Sequence, residues 1–335
     1  MRVLSVLLIS PALVLAQKPR IGALDFYGVH TVSEARIRKA LGFREGDPLP
    51  ASKSDVEERL EKVPGVVLAR LEAVCCAADR AILYVGIEER GAPHFEYRRP
   101  PDGELTIPDA VADTYREFLH ALEEAARAGR TGESFEDGHA LSDDPAARAH
   151  QEEFVDLAEA NLESIRKVLR ESADAGQRAM AAYLIGYAPA SRSIVNDLQY
   201  AMQDADESVR ANAMRSLSAL TALASRSPDA GFRVQPTWYV EMLNSLVWSD
   251  RQGAASALAA MTGDRDESIL AEIRERALPA VIEMARWKTL NHALPSFLLA
   301  GRIAGVPEKD IHDAWNSGAR ELVLKRALTA RAKPK

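Results

Sequence analysis

The side chains that could support catalysis are dispersed along this sequence. Its seven histidines stand in separate predicted elements, at His30, His94, His120, His139, His150, His292 and His312. The chain contains no HExxH, GxSxG, GxGxxG, Walker A or paired CxxC pattern, so no motif sets a nucleophile beside a base or builds a phosphate cradle. We expect neither an enzyme nor a bound cofactor. Because catalytic groups can converge from distant positions, an enzyme or enzyme-maturation factor with a ligand pocket on the helical region is the alternative.

One acidic segment has the residue types that could hold a metal ion. Its members are Glu133, Glu136, Asp137, His139, Asp143 and Asp144. Their spacing matches neither an EF-hand loop nor a zinc signature. A Gly-rich, acidic composition is typical of a mobile, solvated loop, so we expect such a loop here and no metal site.

The chain has two cysteines, and they are adjacent: Cys75 and Cys76. Neighbouring Cα atoms stand about 3.8 Å apart, whereas disulfides usually span about 4.4–6.8 Å, so a bridge between them would be strained. We expect two small, unbridged residues at the end of a strand. A redox or intermolecular role in an oxidising compartment is the alternative.

Charge and composition exclude one class of partner. The 335 residues carry a formal net charge of -7, with 47% hydrophobic and 27% charged residues, which is typical of a folded protein with room for two or three domains. Phosphate binding needs clustered Lys and Arg, and the sequence has no such cluster. We therefore expect protein partners and no nucleic acid, and no small-molecule substrate is evident.

The first residues have the layout of a signal peptide. Arg2 precedes an apolar run that begins at Val3 and ends at Ala16. Pro11 interrupts this run, which is also shorter than the roughly 20 apolar residues that span a bilayer. We expect a signal peptide at 1–16 and an exported protein, periplasmic or extracellular, for which outer-membrane association stays open. A retained membrane anchor is the alternative.

Residues 20–90 predict a small α+β module with the order βααββ. Leu24 and Phe26 have strand spacing, and Thr31 and Glu34 have the spacing of a capping box at the start of a helix. A second helix and two alternating strands follow. Both helices are expected to cover one face of a three-stranded sheet.

This module resembles a POTRA domain over about a fifth of the chain. The resemblance rests on Leu24, Phe26, Gly28, the helix ending at Leu41, the Gly46-Asp47 loop, the turn Pro64-Gly65 and a last strand ending in Glu88. It implies polypeptide transport at an outer membrane or scaffolding at a septum, through peptides that add to the sheet edge. The chain departs from the usual setting in having one such unit and no β-barrel after it, which puts transport in doubt.

Two side chains near the predicted edge are candidates for partner binding. An exposed edge strand binds an extended peptide through main-chain hydrogen bonds. Ile82 and Tyr84, on the face opposite the helices, would add side-chain contacts. In the alternative, they cover the back of the sheet or meet the next domain.

Residues 91–150 are expected to form a linker with one helix and the acidic loop. Four prolines fall between Gly91 and Pro108 and predict an extended segment. Apolar residues at helical spacing predict one helix from Pro108 to about Ala128.

Residues 151–331 have a helical pattern that repeats. The segments QRAMAAYLI, VRANAMRSL and DRQGAASAL superimpose, so that Arg178, Arg210 and Arg251 align at offsets of 32 and 41 residues. Ala213 and Leu217 occupy the small and apolar positions of the middle copy. Helix-pair repeats of this length stack into solenoids, in which each unit buries its apolar face on its neighbours.

The string DADESVRANAMRSLSAL resembles the second helix of a HEAT repeat. The resemblance implies protein binding along a concave superhelical surface and no chemistry. It also implies that Arg210 ties neighbouring repeats together through Asp204 or Asp206, rather than forming a cationic ladder for a ligand. An irregular helical bundle is the alternative.

Together these patterns predict an N-terminal βααββ module plus an all-α solenoid of HEAT-like helix pairs. We expect an exported protein-binding adaptor or scaffold of the cell envelope. It would bind polypeptide through the sheet edge and through the concave helical face, as two sites of one bivalent binder.

Overall fold

The computed structural model describes residues 19–77, 80–227 and 229–330. It shows a mixed α+β protein with a small N-terminal sheet and a helical C-terminal region, which confirms the predicted class at that level. The predicted signal peptide lies outside the described residues. None of the described helices combines the length and apolar content that crossing a bilayer requires.

The strands form one sheet and one hairpin. Their bounds are β1 (Ile21–Tyr27), β2 (Val66–Ala77), β3 (Arg80–Glu89), β4 (Glu133–Glu136) and β5 (His139–Ser142). The sheet has the order β1-β3-β2, with β1 parallel and β2 antiparallel to the central β3. Because β3 is central, β1 and β2 are its two edges.

The helices occupy most of the remaining chain. Their bounds are α1 (Glu34–Leu41), α2 (Lys53–Glu61), α3 (Asp109–Arg127), α4 (Pro145–Ala160), α5 (Leu162–Glu171), α6 (Ala175–Leu184), α7 (Arg192–Ala201), α8 (Glu207–Arg226), α9 (Thr237–Met242), α10 (Trp248–Met261), α11 (Glu267–Arg276), α12 (Leu278–Ala285), α13 (Leu290–Ile303), α14 (Glu308–Asn316) and α15 (Arg320–Thr329). In the C-terminal region α6 packs on α8, α8 on α10 and α10 on α13. Helices that are two or three places apart in the chain are therefore neighbours in space.

Helices α1 and α2 cover one face of the sheet, as the alternation predicts. Leu83, Val85 and Ile87 of β3 share a buried core with Ile37 of α1 and Leu60 of α2. Alternate strand residues point to opposite faces, so this core takes every second side chain of β3. The two helices and the sheet therefore make one packed layer pair.

The predicted capping box at the start of α1 is wrong. The N-cap is Ser33, whose side chain makes no capping hydrogen bond. Thr31 instead donates from its amide, at 2.7 Å, and from its hydroxyl to the carboxylate of Glu89 at the end of β3. A contact across 58 residues thus replaces the local contact with Glu34 that the spacing favours.

The other face of the sheet packs on the helical region. Tyr27 and Tyr84 belong to the same buried core as most of the C-terminal helices. The Tyr84 ring lies 4.7 Å from that of Trp287 and stacks at 5.2 Å on that of Trp248. The Tyr27 hydroxyl donates to the carbonyl of Leu246 at 2.8 Å. The two halves are therefore joined through a continuous apolar core.

The segment between β3 and α3 is extended, as its prolines predict, and it is docked on the helices. Phe95 and Ile107 are buried. The amide of Arg98 donates to the carbonyl of Gln203 at 2.7 Å, and the amide of Gly103 donates to that of Glu171 at 2.9 Å. Gln203 follows α7, and Glu171 is the last residue of α5. The segment therefore ties the ends of different helices together.

The predicted acidic loop is a β-hairpin made of β4 and β5. Its strands pair from Glu133 opposite Ser142 to Glu136 opposite His139. Arg215 of α8 donates to the carbonyl of Ala140 at 2.7 Å. The expectation of a mobile loop is wrong. The contact with α8 and the pairing of the two strands hold the segment as a hairpin, although its Gly-rich, acidic composition is typical of a solvated loop.

Candidate functional site

The edge formed by β1 is covered by the chain itself. The amide of Ile21 donates to the carbonyl of Asp47 at 2.9 Å, and that of Leu24 donates to the Glu45 carboxylate at 2.9 Å. The ammonium of Lys288 donates to the Leu24 carbonyl at 3.1 Å. An incoming strand would have to displace both a loop and a side chain, so β1 is a closed edge.

The outer edge of β2 is only half covered. The amide of Leu71 donates to Oε1 of Glu57 at 2.7 Å, and the amide of Ala69 donates to Oε1 of Glu61 at 3.2 Å. Both amides therefore point away from β3. Because main-chain direction alternates along a strand, Ala73 presents its amide on the same side.

The hydrogen-bonding groups along this edge are unevenly occupied. Within the described part of the chain, no group donates to the carbonyls of Ala69, Leu71 or Ala73, and none accepts from the Ala73 amide. The edge thus offers three acceptors and one donor, while two further donors are held by carboxylates. We name Ala69, Leu71 and Ala73 the open edge.

Helix α2 supplies both carboxylates through its position beside β2. Val56 and Leu60 are buried in the core under the sheet, which fixes the orientation of α2. Glu57 and Glu61 each follow one of these residues and are four apart, so they lie on one helix face. Their i,i+4 spacing was visible in the sequence, but only the strand position gives it meaning.

Both ends of β2 are exposed. Val67 and Leu68, at its start, keep 43% and 46% of their surface. At the other end Cys75 and Cys76 are exposed and joined to each other by a disulfide bond, so the expectation of two unbridged cysteines is wrong. The open edge therefore lies between two accessible segments.

The candidate partner-binding residues Ile82 and Tyr84 are buried inside the protein, with 1% and 0% of their surfaces exposed. The Tyr84 hydroxyl lies 2.7 Å from Nδ1 of His292. Burial raises the pKa of Tyr84 and lowers that of His292, so both groups are favoured in their neutral forms. These side chains join the sheet to the helices, as the alternative interpretation holds, and do not form a surface for a partner.

The three aligned arginines bind neighbouring helical turns. Arg178 donates to both oxygens of Asp204 at 2.8 Å, and Arg210 donates to both oxygens of Asp250 at 3.0 Å. Arg210 and Asp250 are each 1% exposed. The predicted contact of Arg210 with Asp204 is made through the Asp204 carbonyl, and the carboxylate that Arg210 binds belongs to Asp250.

Each of these arginines also binds the turn before its own helix. Nη1 of Arg210 donates to the carbonyls of Asp204 and Ala205 at 2.8 and 2.9 Å. Nε of Arg251 donates to the carbonyl of Ser245 at 2.5 Å. Ala213 and Leu217 are fully buried in the same region.

Glu136 and Asp144, two residues of the acidic segment, are engaged in structural contacts. Glu136 pairs with Arg148 at 2.6 Å, and Asp144 pairs with Arg130 at 2.7 Å. Asp144 also caps α4 by accepting from the amide of Ala146 at 3.0 Å. Across the described residues, no group of three or more His, Cys, Asp or Glu side chains is arranged to hold a metal ion.

A cleft of about 730 Å³ lies beside the start of the extended segment. Its wall includes Glu241 and Arg276, which pair at 2.7 Å. The Glu241 carboxylate is therefore engaged in an ion pair and is not positioned as a general acid or base. The cleft is open to solvent along one side. It does not bring together a nucleophile and a base.

Comparison with known proteins does not assign the chain. No model of a protein family matches it, and a search of curated proteins found no match either.

Proposed function

We propose that this chain is an exported protein-binding adaptor or scaffold of the cell envelope, with a POTRA-like front module and a HEAT-like helical array. The open edge of β2 is its binding site for an extended polypeptide. The helical array holds the sheet from behind, so that the edge is presented at a constant position. The concave face of the array, the second binding surface expected from the sequence, stays part of the proposal.

One observation carries the proposal: the carbonyls of Ala69, Leu71 and Ala73 and the amide of Ala73 have no partner among the described residues. An unpaired strand edge binds another strand through main-chain hydrogen bonds with little dependence on side chains. β1 cannot serve this purpose because its edge is closed. Strand addition at β2 thus explains why the two edges are treated differently.

A partner strand would engage the edge in two steps. Its first amide and carbonyl pair with Ala73, which needs no rearrangement. Extension toward Leu71 and Ala69 requires that the partner's carbonyls replace the carboxylates of Glu57 and Glu61, because each amide makes one strong hydrogen bond. The glutamates therefore compete with the partner and limit unselective pairing.

The decisive variant is Ala73→Pro. Proline removes the outward amide, and edge strands tolerate proline when the lost N–H faces away from the sheet. The matched control is Ala73→Thr, which changes the side chain but keeps the amide. The partner would be isolated from envelope extract with the chain lacking residues 1–16, and its affinity would then be measured by titration with the purified partner.

We expect Ala73→Thr to bind within about twofold of the unsubstituted chain and Ala73→Pro to bind at least about tenfold more weakly, as expected for main-chain hydrogen bonds lost at the entry point. Equal binding by the proline variant, or no specific partner for any form, would overturn the proposal.

A further inference from the structure

The 730 Å³ cleft has a wall made of extended main chain, which we name the cleft strand, residues 93–96. Within the described residues, no group accepts a hydrogen bond from the amides of His94 or Glu96, which point to the same side of an extended chain, and none donates to the carbonyls of these two residues. The buried Phe95 side chain anchors the cleft strand on the helices. Its main chain is thus held in place while its donors stay unpaired, which is the arrangement of a strand edge.

The opposite wall is made of side chains that are held in place by their neighbours. Trp238 is half-buried and packs on the main core. Glu241 pairs with Arg276 at 2.7 Å, and the Asn244 amide donates to the Arg276 carbonyl at 3.2 Å. The indole therefore offers an apolar surface in a lining that also contains the Glu241–Arg276 ion pair, whose charges cancel.

One charge in the cleft is not neutralised. The Glu96 side chain is 90% exposed and, among the described residues, pairs with no Lys or Arg, while Nε2 of His94 lies 3.9 Å away. The other carboxylate of the lining, on Glu241, is already paired with Arg276. The cleft therefore carries a net negative charge and is complementary to a cation.

From these three features we propose that the cleft binds an extended basic peptide, as a second site separate from the open edge of β2. The peptide pairs its main chain with the cleft strand, rests an aromatic or aliphatic side chain on Trp238 and sets a Lys or Arg side chain against Glu96. The cleft volume falls in the range of about 300–1,000 Å³ that is usual for small-molecule pockets.

Three capped hexapeptides test the proposal by isothermal titration against the full chain. The first peptide is Thr-Tyr-Thr-Lys-Thr-Tyr, and the second has glutamate in place of lysine. The third has the sequence of the first with N-methylated threonines, whose amides cannot donate a hydrogen bond. We expect the lysine peptide to bind, and the acidic and N-methylated peptides to bind at least about tenfold more weakly.

Two charge reversals locate the site. Glu96→Lys should weaken binding of the lysine peptide about tenfold, because it sets two like charges in contact. Glu104→Lys is the matched control: it is exposed on the same segment outside the cleft and produces the same change in net charge, so we expect an effect within about twofold.

Each contrary result overturns the proposal. Absence of binding by the lysine peptide, equal loss in both charge variants, or unchanged binding after N-methylation would do so. If Ala73→Pro removes binding while Glu96→Lys does not, the peptide occupies the β2 edge, and the cleft proposal fails while the proposed function stands.

Discussion

At the scale of residues, buried charges in this protein are paired within a local network. Arg210 satisfies Asp250 and two carbonyls at once. A buried pair gains little over apolar side chains, but breaking it leaves one charge without a partner. The aligned arginines therefore specify how successive helices meet, which is the structural role that the resemblance to a HEAT repeat implied.

Arg210→Met should lower the free energy of unfolding by about 3–5 kcal/mol, because it strands Asp250 in the core. The double variant Arg210→Met with Asp250→Leu should lose less than the sum of the single changes. Arg286→Met is the control, since Arg286 and Glu321 form an exposed pair worth about 0–1 kcal/mol. Urea denaturation followed by circular dichroism measures all four; equal losses for Arg210 and Arg286 would contradict the assignment.

Glu89 gives the front module a pH dependence. Burial acts to raise the pKa of Glu89, but hydrogen bonds from Thr31, His30 and Val32 outweigh it and hold the pKa below its ordinary value. With the folded-state pKa lowered, the unfolded chain takes up the proton first as the pH falls. The stabilisation is therefore complete well above a pH of about 4.3 and is lost as the pH falls through the folded-state pKa.

Glu89→Gln should thus cost about 1–3 kcal/mol at pH 7, and the difference from the unsubstituted chain should shrink at pH 4 and below. Denaturant titrations at both pH values measure it. Glu88→Gln, at a half-exposed neighbour without these contacts, is expected to change stability by less than about 0.5 kcal/mol. If the stability difference between Glu89→Gln and the unsubstituted chain is the same at both pH values, the hydrogen bonds to Glu89 do not lower its pKa.

At the scale of elements, sequence patterns predicted the strands and helices that are specified by the periodic spacing of their own apolar residues. The alternation in β3 correctly placed Leu83 and Val85 on the helix-covered face. The errors arise where a distant residue decides: Glu89 takes Thr31 from its predicted capping box, and Arg215 holds the hairpin that composition suggested was a loop. Such contacts have no local signal.

Peptide binding at a sheet edge stays a prediction, and the residues that the sequence offered for it are buried. A sheet edge was expected to bind polypeptide, yet Ile82 and Tyr84 were the residues chosen because they alternate away from the helices. That face is covered by Trp248 and Trp287, which lie more than 150 residues later in the chain. Only the strand order β1-β3-β2 identifies β2 as an edge.

Helix α2 should control how readily β2 pairs with other strands. The double substitution Glu57→Ala with Glu61→Ala removes the carboxylates that accept from the outward amides of Leu71 and Ala69. Uncovered strand edges promote pairing between copies of a protein. We expect the double variant to sediment as a mixture with dimers and to bind the partner polypeptide more tightly. Glu57→Gln with Glu61→Gln keeps the acceptor oxygens and should stay close to the unsubstituted chain.

Glu58→Ala is the control for charge on α2, because Glu58 is exposed and contacts neither amide. Sedimentation velocity at several concentrations separates the cases. If the Ala double variant sediments like the Glu58 variant and binds no more tightly, the carboxylates do not compete with an incoming strand.

At the scale of the whole molecule, the sheet and the helices act as a support for one exposed edge. The inner face of the sheet shares its core with the C-terminal helices, and the extended segment is hydrogen-bonded across successive helical turns. A strand held in this way loses little conformational freedom on binding, which favours affinity from few contacts. We therefore expect binding at β2 with little movement elsewhere.

Hydrogen exchange of the Ala73 amide, with and without the bound partner polypeptide, tests this account most directly. In the free chain this amide should exchange quickly, whereas those of Leu71 and Ala69, held by carboxylates, should be slower. On binding, the Ala73 amide should become protected at least about tenfold. Protection elsewhere in the chain while Ala73 still exchanges freely would contradict strand addition at β2.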